Sequence, residues 1–413
     1  MRIAMANNYY YLRGGCERVL FEEKKALEAN GHQVLVFSQT HPNNEHSQYA
    51  EYFSPFKDWQ TASLFGRMPM ALNIMYDRHT RKGFLRFLDA SDLDLVHAHN
   101  IYGGLTTSVL DAAQLKGVPV VMTLHDYKLI CPSYLMLNRG SVCEDCQGAR
   151  FIHCLLNRCH KENFAASSVY CIESYLNRWL HKYDTIQYFI CPSRFSLQKH
   201  ADHGIPRHRL LHIPNFISAA EHEPVYEEGH YALFVGRLSK EKGIPTLLKA
   251  VQNLNVPVRI VGDGPLRPQY ERFVRDRRMV HVTFEGYKSA DDLKRLYVNA
   301  AFLVVPSEWY ENAPMTILEA CAHGKPVIGS RIGGIPEMID HGRTGLLFTP
   351  GDADELSECI QSLWTDKSLV ADMGRAARAK VEREFSCQAH YERLMEVYGT
   401  LCRSRADRTG LQQ

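Results

Sequence analysis

The sequence predicts an α/β protein made of two doubly wound, Rossmann-like domains facing a cleft. Three observations carry this expectation. Short apolar runs of strand character alternate with helical patterns along the whole chain, as parallel sheets with crossover helices require. The chain has 413 residues, which is long for one core and natural for two domains of about 200 residues each. Between the halves, the run HIPNFIS (residues 212–218) followed by polar EHEPVYEEGH reads as a crossing between domains.

The first domain is expected over residues 1–214. Residues 2–6 read as a strand, 7–15 as a loop, and 17–30 as a helix ended by Gly31. Residues 32–38, 93–99, 119–124 and 186–192 are further apolar strand candidates. A second domain is expected over residues 215–385, with strands at 231–235, 258–261, 280–284, 301–305, 326–329 and 344–348. These runs are short, apolar and evenly spaced, and helices fit between them. One is SADDLKRLYVNA, with Ser289 as N-cap and Asp291 and Asp292 in the first turn, where the helix dipole favours acids. From Asp352 the pattern is helical to about Ser404, and residues 386–413 are expected to form a helix crossing back to the first domain. No low-complexity segment or short repeat interrupts the chain.

With 48 basic and 46 acidic residues, a formal charge of +2 gives no electrostatic case for nucleic acid. The N-terminal MRIAMANNYYYLRGG lacks a secretory apolar core, and nowhere do about 18 apolar residues run together. The expected location is therefore cytoplasmic. The twelve cysteines then need an account other than structural disulfides, which a reducing compartment disfavours. Basic and aromatic residues over 65–88 are compatible with peripheral contact at the inner membrane face, although an ordinary amphipathic helix explains them as well.

The functionally densest stretch is VPSEWYENAPMTILEACAHGKPVIGSRIGGIPE, residues 305–337. A strand ends at Val305, Pro314 stands where a helix begins, and Gly324 where it ends. Glu311 therefore lies in a loop at the carboxyl edge of a strand, where open α/β sheets bind ligands. Glu319 lies inside the helix, roughly 7–8 Å along its axis from Pro314. A glycosidase-type acid pair would flank one bond; this placement instead suits two grips on one extended ligand. Upstream, GRLSKEKG carries Gly236, Arg237 and Lys242 between a strand and a helix, a glycine-containing cationic loop suited to a diphosphate. Gly262 and Gly264 in VGDGP make a second tight turn, and Gly286 with Tyr287 follow another strand and border the space for a base.

The series VGRLSKEKG, IVGDGP, Glu311-x7-Glu319, EACAHGKPVIGS and GGIPE resembles, in order and spacing, the retaining glycosyltransferases of family four, which have the GT-B fold. The likeness runs over essentially the whole chain. It implies a nucleotide-sugar donor (UDP-, GDP- or ADP-linked) whose diphosphate is held by Arg237 and Lys242, whose sugar meets Glu311, and whose ribose hydroxyls meet Glu319. The acceptor implied is a glycan or lipid-linked saccharide, in cell-surface polysaccharide synthesis. NNYYYLRGGCERVL is similar to the family's glycine loop, with Gly14 and Gly15 letting backbone approach the donor phosphate. The family's functional histidine corresponds to His125 in VVMTLHDY, with His99 of VHAHN as a weaker second choice. Front-side displacement, usually described for this fold, needs no enzymic nucleophile, and the two cations make a catalytic metal unnecessary. Asp92-x-Asp94 precedes its strand and reads as a loop. The chain departs from the pattern at ENAP, where many relatives carry a glycine–aromatic–glycine turn; that change bears on sugar choice.

Residues 128–160 form a cysteine-rich insert with Cys131, Cys143, Cys146, Cys154 and Cys159. Cys143-x2-Cys146 has zinc-knuckle spacing. A sub-branch of the family resembles this chain in its insert, which implies a structural zinc on Cys131, Cys143, Cys146 and Cys159, with Cys154 spare and His160 as a substitute. An iron–sulfur cluster and plain reduced thiols are the other readings. The rival functions are a GT-B sugar-nucleotide epimerase and a non-catalytic sugar-nucleotide-binding protein. A phosphorylase would need a pyridoxal-phosphate lysine context that the sequence lacks.

Overall fold

The computed structural model describes residues 1–57, 72–160 and 162–410. Two compact units make it up. Unit 1 comprises residues 1–136, 143–213 and 390–413, and unit 2 comprises 137–142 and 214–389.

Unit 1 is built on β1 (Arg2–Ala6), β2 (Gln33–Phe37), β3 (Leu95–Ala98) and β4 (Val120–Thr123). A two-residue hairpin, β5 (Leu137–Asn138) and β6 (Ser141–Val142), precedes β7 (Ile186–Cys191) and β8 (Leu210–His212). The sheet order is β2-β1-β3-β4-β7-β8, parallel at every pairing. β3 and β4 are buried along their whole length, as strands covered on both faces must be. Phe37 packs 4.8 Å from Phe84 and 5.5 Å from Phe87, centroid to centroid, each burial being worth about 1.5–3 kcal/mol. Phe84 and Phe87 come from helix Arg78–Ser91, whose first turn is capped by Asp77 accepting from His79 and Thr80 N–H. Of the basic–aromatic run over 65–88, residues 65–71 lie outside the described residues; the remainder includes this core-facing helix. The C-terminal helix Cys387–Gly410 contributes Leu394, Val397, Tyr398 and Leu401 to the same core.

Unit 2 repeats the plan with β9 (Ala232–Val235), β10 (Val258–Val261), β11 (Val282–Gly286), β12 (Phe302–Val305), β13 (Val327–Ser330) and β14 (Gly345–Phe348). The order is β11-β10-β9-β12-β13-β14, again parallel. Chain order reverses between β1 and β3 in unit 1 and between β9 and β12 in unit 2. No described helix is long and apolar enough to cross a membrane.

Differences from the sequence expectation have local causes. The strand expected from residue 280 begins at Val282, because Arg278 adopts a positive φ and Val280 closes a turn onto its carbonyl; Val280 is left exposed despite its β-branched side chain. The helical tail after Asp352 is three helices, Ala353–Thr365, Lys367–Glu384 and Cys387–Gly410. Asp366 ends the first and caps the second by accepting from Leu369 N–H, which is worth about 1 kcal/mol. β8 and the β5–β6 hairpin, only two or three residues per strand, had no readable period.

Two glycines separate packing from function. Gly262 has φ +124° and a Cβ there would lie 2.0 Å from the Gly236 carbonyl oxygen. Gly15 has nothing within 4 Å of its Cβ position; it is the first residue of α1 (Gly15–Ala29). Gly262→Ala is expected to lower stability by about 2 kcal/mol or more, and Gly15→Ala to change it little. Thermal unfolding of the two variants checks this; equal losses would contradict it.

Candidate functional site

In an open parallel sheet, the loops leaving the strands on either side of the order reversal diverge and leave a crevice. In unit 2 these are the loop after β9, residues 236–243, and the loop after β12, residues 306–314. The first passes through a tight turn at Lys240–Lys242 into α2 (Ile244–Val251). Gly243, at φ +68°, leaves room for the Pro306 carbonyl, 1.7 Å from where a Cβ would stand. Glu308 N–H donates to the Glu241 carbonyl at 2.9 Å, and Thr246 Oγ1 donates to Glu308 Oε1 at 2.5 Å. The two loops are thus fastened backbone to backbone.

Their side chains meet at Glu311, which is 5% exposed. Its Oε1 accepts from Lys242 Nζ at 2.6 Å and from Ser307 Oγ at 2.7 Å. Lys242 Nζ also lies 5.2 Å from the Trp309 ring centre. Burial pushes the Glu311 carboxyl up, but the Lys242 charge and the hydrogen bonds from Lys242, Ser307 and Trp309 outweigh it and hold the group below 4.5. Gly333 (φ +61°) packs on the Glu311 backbone, 2.3 Å from its carbonyl oxygen to the Cβ position, and Gly334 N–H donates to that oxygen. The GGIPE glycines therefore seat the glutamate. Arg237 is exposed and carries no ion pair among the described residues, so the loop that holds Lys242 carries a second, uncommitted cation.

Glu319, on α3 (Met315–Ala322), is 4% exposed, and its Oε2 accepts from Tyr297 Oη at 2.8 Å. Gly286, at φ +72°, accepts from Gly262 N–H, and Tyr287 beside it is 73% exposed. Gly236, Gly262 and Gly286 thus join the ends of β9, β10 and β11 by direct backbone contact.

In unit 1, Asn7 and Asn8 tie the loop after β1 to the loop after β3: Asn100 N–H donates to Asn7 Oδ1 and Asn8 Nδ2 donates to the Tyr102 carbonyl. Gly14 is extended and Gly15 has open space at its Cβ position, so neither glycine is demanded by packing within the chain. His125 follows β4 and is half-buried. Its Nε2 is 3.0 Å from Nδ1 of the fully buried His99, and burial lowers the His125 pKa to about 4. Asp126 is pushed up to about 6 by burial, against the Lys128 N–H and charge. Asp94 accepts from Arg2 N–H at 2.7 Å, a structural use of its carboxylate.

The cysteines of the insert gather in unit 1. Cys131, Cys146 and Cys154 are buried and Cys143 and Cys159 half-buried. Burial raises Cys143 to about 11, and Cys146 is raised by burial and by the nearby Cys131, Cys159 and Cys143. A hydrogen bond between Cys154 and Cys159 raises the first and lowers the second. The donors suit a soft tetrahedral ion in kind. Among the described residues, however, no trio of these sulfurs meets the 4.8 Å mutual spacing that Glu23, His97 and His99 do.

Ser307, Trp309 and Tyr297 were not singled out in the sequence. Ser307 and Trp309 had a signal, since both lie within four residues of Glu311 in the same loop. Tyr297 had none, because in SADDLKRLYVNA it is indistinguishable from a core aromatic.

The Lys242–Glu311 pair generates a signed pH dependence. With its pKa lowered, Glu311 contributes stability above its unfolded value of 4.5, lost as pH falls through the folded value. In Lys242→Met the main opposing charge is gone and burial dominates. The loss should be about 2–4 kcal/mol at pH 7, moderated by the partial exposure of Lys242, and should shrink toward pH 5 as Glu311 takes a proton. Urea unfolding at both pH values measures this; an equal loss at both would contradict it.

Comparison with known proteins extends the picture. The family model described as Glycosyltransferase Family 4 matches residues 13–221, and that of Glycosyl transferases group 1 matches residues 218–380. An uncharacterized glycosyltransferase of Methanocaldococcus jannaschii is 30% identical over 54% of this chain and 63% of its own length, so the chain spans less than two thirds of that relative. Sucrose-phosphate synthase from Thermosynechococcus elongatus superposes with a TM-score of 0.71 at 20% identity, over 98% of this chain and 100% of that one. Anabaena HepE in complex with UDP and glucose gives 0.66 at 18%, over 97% and 99%. At such identities the superpositions speak for the fold, which is GT-B. With one family model matching slightly more than half of its length, this chain belongs to glycosyltransferase family 4.

Proposed function

We propose that the chain is a retaining hexosyltransferase. It moves a sugar from a UDP-, GDP- or ADP-linked donor to a glycan or lipid-linked saccharide, in cell-surface polysaccharide synthesis at the cytoplasmic side of the membrane. The observation that carries this reading is the Lys242–Glu311 pair at the reversal point of the unit 2 sheet, with Arg237 uncommitted in the same loop as Lys242. A departing nucleotide diphosphate gathers negative charge on its β-phosphate. Arg237 and Lys242 are fixed donors for that charge, held in place before reaction. Glu311, kept ionised by Lys242 and Ser307, accepts from donor sugar hydroxyls, and such charge-assisted bonds orient the ring. Glu319, on the helix that follows the same loop, serves the ribose hydroxyls. The extended backbone at Gly14 and the open Cβ position at Gly15 admit a phosphate to the backbone at the start of α1.

In the reaction the bond from the anomeric carbon to the β-phosphate oxygen breaks, and its electron pair leaves with the nucleotide. The acceptor hydroxyl oxygen bonds to the same face of that carbon, and its proton passes to the departing phosphate oxygen. His125, neutral by burial, is a hydrogen-bond partner for the reacting sugars and not a nucleophile. HepE, of the same fold, binds UDP and glucose, which supports the donor class. Asn312 and Ala313, in place of the glycine-bearing turn of many relatives, set which sugar is accepted.

Incubation with UDP-, GDP- and ADP-sugars, with and without lipid-linked acceptors, tests this by nucleotide release. At least one donor should turn over, and Glu311→Gln should lower kcat on the order of 100-fold. No release with any donor, or a Glu311→Gln variant as active as the parent, would remove the reading; interconversion of the donor sugar without transfer would favour an epimerase. We further propose that the insert binds one structural zinc, which would draw its sulfurs inward from the present spacing, and takes no part in the chemistry. Protein purified without chelator should then carry close to one zinc per chain, reduced in Cys143→Ser. Content well below one would leave the cysteines as buried thiols.

A further inference from the structure

Behind His125 lies a buried polar cluster that the donor chemistry does not use. Glu23 sits on the core-facing side of α1 among Val19, Leu20, Ala26 and Leu27, 1% exposed. It has no lysine or arginine ion pair among the described residues; histidines take that place. Its Oε1 is 3.0 Å from His390 Nε2. Its Oε2 is 3.4 Å from His99 Nε2 and 3.5 Å from His97 Nδ1. Glu23 Oε2 and His99 Nε2 are buried and neither has a hydrogen-bond partner; at 3.4 Å each is placed to satisfy the other after a small adjustment.

The proton positions follow from what each atom can do. Burial opposes charge on His99 and His125, lowering both pKa values, and a neutral imidazole has one N–H and one lone pair. Burial pushes the Glu23 carboxyl up, but His97 and the hydrogen bond from His390 outweigh it and lower the group overall, so Oε2 accepts. The arrangement that satisfies both atoms puts the His99 proton on Nε2, which leaves Nδ1 as a lone pair. That Nδ1 is 3.0 Å from His125 Nε2, which must therefore be the protonated nitrogen of His125. Its Nδ1 is left bare.

We propose that Glu23 is a positioning residue that, through His99, fixes His125 as the Nε2–H tautomer and presents its Nδ1 as an acceptor for a sugar hydroxyl. A metal ion is the competing use of this cluster, because Glu23, His97 and His99 place ligand atoms within 4.8 Å of one another. His97, however, already uses both nitrogens, Nδ1 with Tyr398 Oη and Nε2 with Thr123 Oγ1, each at 2.7 Å. The role given to His125 rests on the transferase reading above; the tautomer itself does not.

Nitrogen-15 NMR of histidine-labelled protein reads the tautomer directly, without activity. In the parent, His125 should be protonated at Nε2; protonation at Nδ1 overturns the proposal with no variant needed. In Glu23→Gln the amide can donate to His99 and invert both rings, so the His125 proton should move to Nδ1. On the best donor, kcat should then fall on the order of 100-fold with donor KM within about 2-fold. Tyr398→Phe, which alters the same cluster but not the Glu23–His99–His125 line, should keep the parent tautomer and kcat. An unchanged tautomer in Glu23→Gln, or a bound metal lost in Glu23→Gln but kept in Cys143→Ser, would overturn the relay. If no donor turns over while the tautomer behaves as stated, it is the transferase reading that fails.

Discussion

A carboxylate inside a protein must be kept charged by its surroundings, and unit 2 is arranged around one that is. Burial alone would neutralise Glu311. The Lys242 charge and the Ser307 hydroxyl hold it ionised, and both can reach it only because the loops after β9 and β12 leave the sheet where chain order reverses. Gly243 lets those loops come within backbone contact, and Gly333 seats the loop after β13 on the Glu311 backbone. Sheet order, glycine placement and the ion pair are therefore one constraint. A change in any of them moves the carboxylate relative to the cations.

Unit 1 solves a related problem differently. One of its buried carboxylates, Glu23, has no lysine or arginine partner among the described residues, and imidazoles from the end of β3 and from the C-terminal helix take that place. One unit thus fixes an anion with a cation beside a crevice, which suits binding of a charged donor. The other surrounds an anion with imidazoles in the core, which suits control of where a proton sits. The C-terminal helix takes part through His390 and Tyr398, so its docking in unit 1 reaches beyond packing area.

Much of this was legible in the sequence for identifiable reasons. Strands of parallel sheets are apolar on both faces, and runs such as 258–261 and 302–305 announce themselves. Pro314 and Gly324 marked the helix that carries Glu319, and the capping Ser289 marked another. Val280 misled because a β-branched residue in a turn looks like a strand residue until the positive φ at Arg278 is known. Glu23 could have been found as an acid at helical spacing from the apolar Val19, Leu20, Ala26 and Leu27 of α1. Its histidine partners come from residues 97, 99 and 390, and no local pattern encodes such contacts. Cysteine spacing suggested zinc ligands, but the distance between sulfurs is a property of the folded insert that spacing does not fix.

The claim that the reversal point of unit 2 holds a nucleotide diphosphate sugar is tested most directly by a crystal structure with a non-hydrolysable donor. The account predicts diphosphate oxygens within hydrogen-bond distance of Arg237 and Lys242, and a sugar hydroxyl on Glu311. A donor bound with its diphosphate away from both cations, or with Glu311 still facing only Lys242 and Ser307, would contradict it.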